Sequence, residues 1–556
     1  MAFRLKYLGV AAAAALFAFA VPSAIGGHAV EGVDVKVTDD NNNVDGGLAN
    51  TTPSKDARNR QSNETTVSIS TVPSPVTGLR GDIVATAAND YRMVPHFGDA
   101  WLGFYLSFDG GSTWFGPPPL PHGFNTMVPG FPTDTSPAGI ASPLKNLDGS
   151  GDPVVRFDAH GNLFVAGIAF NRNFDQPDRP VDTVVYVAKY RFTPGTPATA
   201  STPNRAGTPP HFTYAGTKVV VRGAVGFAVP SPFGFAGRFV DKEWMEIDTN
   251  SPAQSPCAGN IYVTWSDFRG LSGSTPIKFS RSTDGGATFS QGQVISTGGT
   301  GTTQNNQGSD IAVAPNGTIY VAYRTFSRST GLSTVSIVKS TNCGRSWSQP
   351  IRVGSITAGQ APGINFRTPT FAFVATDSSN SNIVYVAYQH LSGDYDVYVQ
   401  RSTNGGTTWG PRVQVNTDPG AHQQVFPMIE VSHGAVHVAW YDTRNSAPGK
   451  NDMVDVYYAC SNCAGSVYPA FSHEVRVTDV SHNGNCLLFG GGTAGFHGDY
   501  NELDAFWTGA NHKVNVAWAD HRDVNPCDLD PAPGPPSNNT GNRNENIYAD
   551  TLTVSP

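Results

Sequence analysis

Charge is scarce in this chain. Only 14% of its 556 residues are charged, and 44 acids outnumber 36 bases for a formal net charge of −8. No basic patch can be drawn, which argues against nucleic acid as a partner. Long apolar runs are also lacking. Beyond the stretch from Leu8 to Val21, no segment is long and apolar enough to cross a bilayer. Cysteine is sparse, with six in all, and Cys460 and Cys463 form a lone CxxC without a second pair at metal-ligand spacing. That favours a local disulfide over zinc, and no metal ligand is assigned. What abounds is glycine (60), proline (41) and aromatic residues (11%), the composition of a large, turn-rich, all-β protein of an oxidising compartment.

Arg4 and Lys6 ahead of the apolar run, with small residues from Ser23 to Ala29 after it, read as a secretory signal peptide over 1–27. A lone membrane anchor is the alternative, and the run is short for that role. Residues 28–62 are then an N-terminal strand with a flexible lead-in, and 63–556 form one domain. A secreted monomer is expected.

One phrase recurs along that domain: Ser-x-Asp-x-Gly-x-Thr-aromatic. It stands at Ser107, Asp109, Gly111, Thr113 and Trp114, and again at Ser282, Asp284, Gly286, Thr288 and Phe289. Asn replaces Asp in two further copies, at Ser340, Asn342, Gly344, Ser346, Trp347 and at Ser402, Asn404, Gly406, Thr408, Trp409. Asp or Asn bonds its own backbone two residues on, and Gly supplies a positive φ, so the phrase is a turn. A strand pattern recurs more often still, as GNIYVTW from Gly259, GTIYVAY from Gly317, SNIVYVAY from Ser381, GAVHVAW from Gly434 and KVNVAW from Lys513. Weaker copies start at Gly81 and Gly161, which makes seven. A second strand precedes each of these, a third leads into the turn and a fourth follows it. Four antiparallel strands repeated seven times predict a seven-bladed β-propeller. The last unit lacks its outer strand, and VDVKVTD from Val33 to Asp39 is predicted to supply it and close the ring.

The four turns resemble the Asp box, or BNR repeat, of the sialidase superfamily. The resemblance covers the mature chain as a fold and implies a carbohydrate or glycoconjugate partner. Seven blades depart from the six-bladed catalytic domain of sialidases, which stands as the alternative count. Other Asp-box propellers with seven blades include polysaccharide-active hydrolases and lyases.

In propeller topology the box turns lie on one face. The long insertions at 116–151, 223–240, 354–366, 481–498 and 521–545 fall mostly on the other. This map predicts the pairs Cys486–Cys527 and Cys257–Cys343 beside the local Cys460–Cys463. It also separates recurrence from function. Asp-x-Arg ends the second strand four times, at Asp90/Arg92, Asp267/Arg269, Asp442/Arg444 and Asp520/Arg522, which reads as a repeated ion pair. Polar residues without a counterpart in other units are better site candidates: Asp152, Asp241, Lys242, Glu243, Arg367, Gln424, Asp499, Tyr500 and Glu502. Glycoside hydrolysis needs two carboxyl groups across the scissile bond, which Asp241 or Glu243 with Asp499 would supply. The sialidase resemblance implies a Tyr nucleophile assisted by Glu, and three Arg gripping a substrate carboxylate. Tyr500 with Glu502 would imitate the first, and Arg367 with Arg238 part of the second. Phe366-Arg367-Thr368-Pro369 matches a loose sialidase phrase that in the family precedes the first box, whereas here two boxes come before it. Asp152, Lys242 and Gln424 complete the substrate-binding set. No cofactor is implied, with calcium at Asp523, Asp528 and Asp530 the one ion that oxygen ligands there would suit. A glycan-active enzyme is the first reading and a non-catalytic propeller that binds glycan or protein at the cell surface is the second.

Overall fold

The alternating apolar positions form strands because each pleated segment buries one or both faces against a neighbour. The computed structural model describes residues 29–38, 62–91, 100–115, 127–171, 182–194, 211–226, 229–231, 233–296, 305–326, 333–472, 474–487, 495–525, 527 and 542–556. The segment read as a signal peptide, Asp39, Arg92, Asp528 and Asp530 lie outside the described residues. Among those described, the molecule is all-β, with one short helix at Pro137–Ile140.

The strands form six antiparallel sheets. One has eight strands and divides into two runs of four, joined by the single pair Arg238–Ala224. An edge strand of each run faces the centre: Ser62–Ile69, Gly149–Phe157, Arg238–Ile247, Asn305–Val313, Ala372–Thr376, Gln424–Ser432 and Glu502–Trp507. Each of these packs beside the next, and the last packs against the first. The fifth begins only at Ala372, beyond Pro369, which has no N–H to give to a ladder.

The aromatic that closes the repeated second-strand pattern packs into the core in five units. Trp265, Tyr323, Tyr388, Trp440 and Trp518 are all fully buried. The repeated turns share one bonding scheme. Ser282 Oγ accepts from Gly286 N at 2.9 Å and donates to Asp284 Oδ1 at 2.7 Å, and Asp284 Oδ1 accepts from Thr288 N at 2.9 Å. The same bonds recur from Ser107, Ser340 and Ser402. The turn's aromatic reaches the neighbouring unit, as where Trp347 meets Phe279 edge-on with ring centres 4.7 Å apart.

The N-terminal segment does pair with the last strand. Val35 and Lys36 lie opposite Ala549 and Tyr548, Val37 N donates to Ile547 O at 2.8 Å, and Ala29–Val30 adds a further pairing beside Val554 and Thr553. Disulfides join Cys257 to Cys343, Cys460 to Cys463 and Cys486 to Cys527.

Candidate functional site

The central strands share a defect near their starts. The pairing register breaks between Asn63 and Thr66, Gly151 and Val154, Asp241 and Trp244, Gln307 and Asp310, and Val425 and Met428. Each break is a β-bulge with a left-handed residue at its head: Glu64 (φ 55°), Asp152 (55°), Lys242 (51°), Gly308 (64°) and Phe426 (54°). Glycine takes this conformation freely, as at Gly308, whereas an L side chain there costs about 1–2 kcal/mol. Three adjacent units accept that cost with charged residues. The bulge turns those side chains off the strand and they meet near the axis.

Lys242 is the hub. Its Nζ lies 2.6 Å from Asp499 Oδ2, 3.0 Å from Asp152 Oδ2 and 3.2 Å from Glu64 Oε1. Burial would lower its pKa, but the charges of Asp152, Asp499 and Glu64 outweigh that and hold it well above the usual lysine value. Arg367 pairs through Nε with Asp499 and lies 3.6 Å from Glu64, with its guanidinium over the Phe496 ring at 4.6 Å. Asn89 donates to Glu64 Oε2 at 2.8 Å and accepts from the Asp152 backbone N–H, also at 2.8 Å. Gly498 (φ 86°) lies so close to Glu64 that a Cβ there would collide with its Cγ.

Above this cluster opens a cavity of about 340 Å³, lined by Asp152, Asp241, Lys242, Arg367 and Asp499, with Asn89, Gln307, Asn171 and Tyr91 around them. That is within the size range of small-ligand sites. Burial pushes the Asp241 carboxyl up, and the Lys242 charge opposes it only in part. Asp152 is raised in the same way. The cavity therefore combines carboxyls inclined to hold a proton with Asp499, whose charge is matched by two cations. Such a division of roles suits general acid–base chemistry. Register places the cavity opposite the repeated turns: Asp241 pairs through Ser266 to Ile277 at one end of its sheet, and Ile247 through Ile261 to Ser282 at the other.

No family model matches the chain, and no curated protein does. Among solved structures it is similar to a protein of unknown function from Dyadobacter fermentans, at 12% identity and TM-score 0.41 over 96% of this chain and 100% of that one. It is also similar to a Hadza microbial sialidase, at 11% and 0.40 over 84% and 75%. A Penicillium chrysogenum α-L-arabinanase complexed with arabinobiose follows, at 15% and 0.34 over 56% and 93%. At these values none of them bears on the chemistry of the cavity.

The remaining residues singled out from sequence lie elsewhere. Glu243 is buried behind the cavity with neither carboxylate oxygen hydrogen-bonded, and burial, then the Asp152 charge, raises it far above the carboxylate range. Tyr500 is not at the cavity wall. Its hydroxyl donates to Pro153 O at 3.4 Å, its ring lies edge-on to Trp244, and burial keeps it a phenol. Glu502 faces a second cavity toward the turn end, where Arg156 clamps it with bonds of 2.6 and 3.1 Å. Arg238 bonds Asp267 instead of reaching the axis. Gln424 is buried and accepts from Asn416 at 3.2 Å. Asp523 is engaged by Lys36 at 2.6 Å and Tyr548 at 2.8 Å. The Asp-x-Arg pairs are ion pairs at Asp267/Arg269 (3.3 Å), Asp442/Arg444 (2.6 Å) and Asp520/Arg522 (2.7 Å).

Sequence reasoning missed Glu64, which stands one residue ahead of the alternating run that opens at Thr65, as Asp152 stands ahead of Pro153.

Proposed function

We propose that the chain is a secreted, seven-bladed Asp-box propeller that hydrolyses a glycosidic bond in the axial cavity. The seven inner strands, side by side with the last against the first, support that count. The cavity lined by Asp241 and Asp499 beside Lys242 and Arg367 carries the reading. Asp241, raised by burial, is the proton donor to the leaving oxygen. Asp499, ion-paired with Lys242 and Arg367, is the partner that activates water or stabilises positive charge on the sugar. Arg367 is the single arginine at the cavity wall among the described residues, so a three-arginine grip on a substrate carboxylate is not assembled there.

Purified protein assayed against arabinan, other polysaccharides and sialosides should release sugar from at least one of them. Asp241→Asn and Asp499→Asn should each lower kcat by about 10²–10⁴-fold in folded protein. Activity untouched by both changes would refute the assignment. A second reading rests on Lys242, whose three ion pairs already satisfy the carboxylates around it. On that reading the cluster staples the inner strands and the cavity only binds glycan. Saturable binding of a glycan without turnover by any panel member would select it.

A further inference from the structure

Beside the axial cavity, three imidazoles and a carboxylate are enclosed together. His482, His497, His521 and Glu545 have relative exposures of 2%, 0%, 2% and 0%. His521 Nε2 lies 3.2 Å from Glu545 Oε1, and His497 Nδ1 lies 3.6 Å from the same oxygen. One ligand-type atom from each of His497, His521 and Glu545 falls within 4.8 Å of the others.

Partners on the far sides fix which atoms carry lone pairs. His521 Nδ1 lies 3.2 Å from the Asn483 carbonyl oxygen, which can only accept, so Nδ1 holds the proton and Nε2 turns a lone pair toward Glu545. His482 Nδ1 lies 3.3 Å from Asp520 Oδ2, and its Nε2 lies 3.3 Å from His497 Nε2. His497 Nδ1, on the other side of its ring, has no hydrogen-bond partner. Asn63 donates to Glu545 Oε2 at 3.1 Å and turns Oε1 inward. Two imidazole nitrogens and a carboxylate oxygen thus converge in one buried cluster, where uncompensated polar atoms are costly.

We propose that His497 Nδ1, His521 Nε2 and Glu545 Oε1 bind a divalent transition-metal ion, with zinc the best fit. Two imidazoles and one carboxylate suit zinc and not calcium or magnesium, which take oxygen ligands. Tetrahedral zinc with ligands about 2.0–2.2 Å away sets neighbouring ligand atoms about 3.3–3.6 Å apart; the Glu545 oxygen lies 3.2 and 3.6 Å from the two imidazoles, and all three ligand atoms fall within 4.8 Å, so the two imidazoles would draw together around an ion. Asn483, Asp520 through His482, and Asn63 form the outer shell that orients such ligands. The ion ties the Phe496–His497 segment to the last two strands. Phe366 stacks on His497 with ring centres 4.5 Å apart, and Arg367 lies over Phe496, so the centre positions Arg367 and Asp499 from behind. Full burial makes it a positioning site.

Full-length protein should be stripped with chelator, incubated with excess Zn²⁺ or Co²⁺ and desalted. One equivalent of either metal should be retained, with a higher melting temperature and the visible absorption of tetrahedral Co²⁺. Glu545→Gln and His521→Gln should lose both. Absence of retained metal with an unchanged melt overturns the proposal, and a proton on Glu545 then explains the cluster. Equal retention by the two variants overturns it as well. If the variants do not fold, X-ray absorption of zinc-loaded wild-type protein decides: a first shell with two imidazoles upholds the site, and one without imidazole refutes it.

Discussion

Glu64, Asp152 and Lys242 are charged residues in a backbone conformation suited to glycine, and they are the residues that meet at the axis. The strain is confined to a bulge that recurs in other units, so the fold supplies the aiming device and the side chain only has to occupy it. Lys242 carries the largest electrostatic consequence. Replacing it with Met removes the counter-charge of three buried carboxylates and should cost about 3–5 kcal/mol in a denaturant titration at pH 7. The loss should shrink in acid, where those carboxyls take up protons. Glu64, in contrast to Asp241 and Asp499, was hidden in the sequence because a polar residue ahead of a strand is usually a solvated one. Only its bulge conformation and the Asn89 contact distinguish it.

The N-terminal segment covers the last strand's open edge through a few backbone bonds, and its acidic neighbours tune that seam. Deleting residues 29–38 should lower the melting temperature clearly, and an unchanged melt would remove the segment from the fold's stability. Asp550 accepts from Gly32 N at 3.1 Å beneath this seam. Burial raises its pKa from 3.8 to about 7, with Asp34 adding to the shift and the Thr551 amide opposing it. A raised carboxyl contributes stability that is complete below its unfolded pKa of 3.8 and lost as pH rises through about 7. Asp550→Asn should therefore match wild type in acid and gain melting temperature progressively toward neutrality, levelling off above pH 7. A constant difference across that range would show that the carboxyl does not titrate in the folded protein.

Across the whole molecule, Cys257–Cys343 is the covalent link of longest reach, joining turns of consecutive units 86 residues apart. Closing a loop of that length in the unfolded chain accounts for about 4–5 kcal/mol on the chain-entropy model. The double change Cys257→Ser, Cys343→Ser should lower stability on that scale while leaving the cavity intact, since the bond lies at the turn end. A fall in melting temperature without altered glycan binding or turnover is expected, and lost binding in a folded variant would mean that the two ends of the sheets are coupled.

Strands, repeated turns and the pairing of the N-terminal segment with the last strand were legible in the sequence. Alternation and Asp and Gly turn chemistry act over a few residues, and alternation alone marks the N-terminal segment as a strand although its partner Ala549 lies at the opposite end of the chain. Tertiary structure decided which polar groups share a site. Asp241 and Asp499 reach one cavity while Glu502, three residues beyond Asp499, turns to Arg156 at the other end of the axis. No local pattern carries that distinction. It depends on where each bulge reverses the chain and on inner strands far apart in sequence coming together, as do the buried imidazoles of His497 and His521, which no spacing in the chain announces.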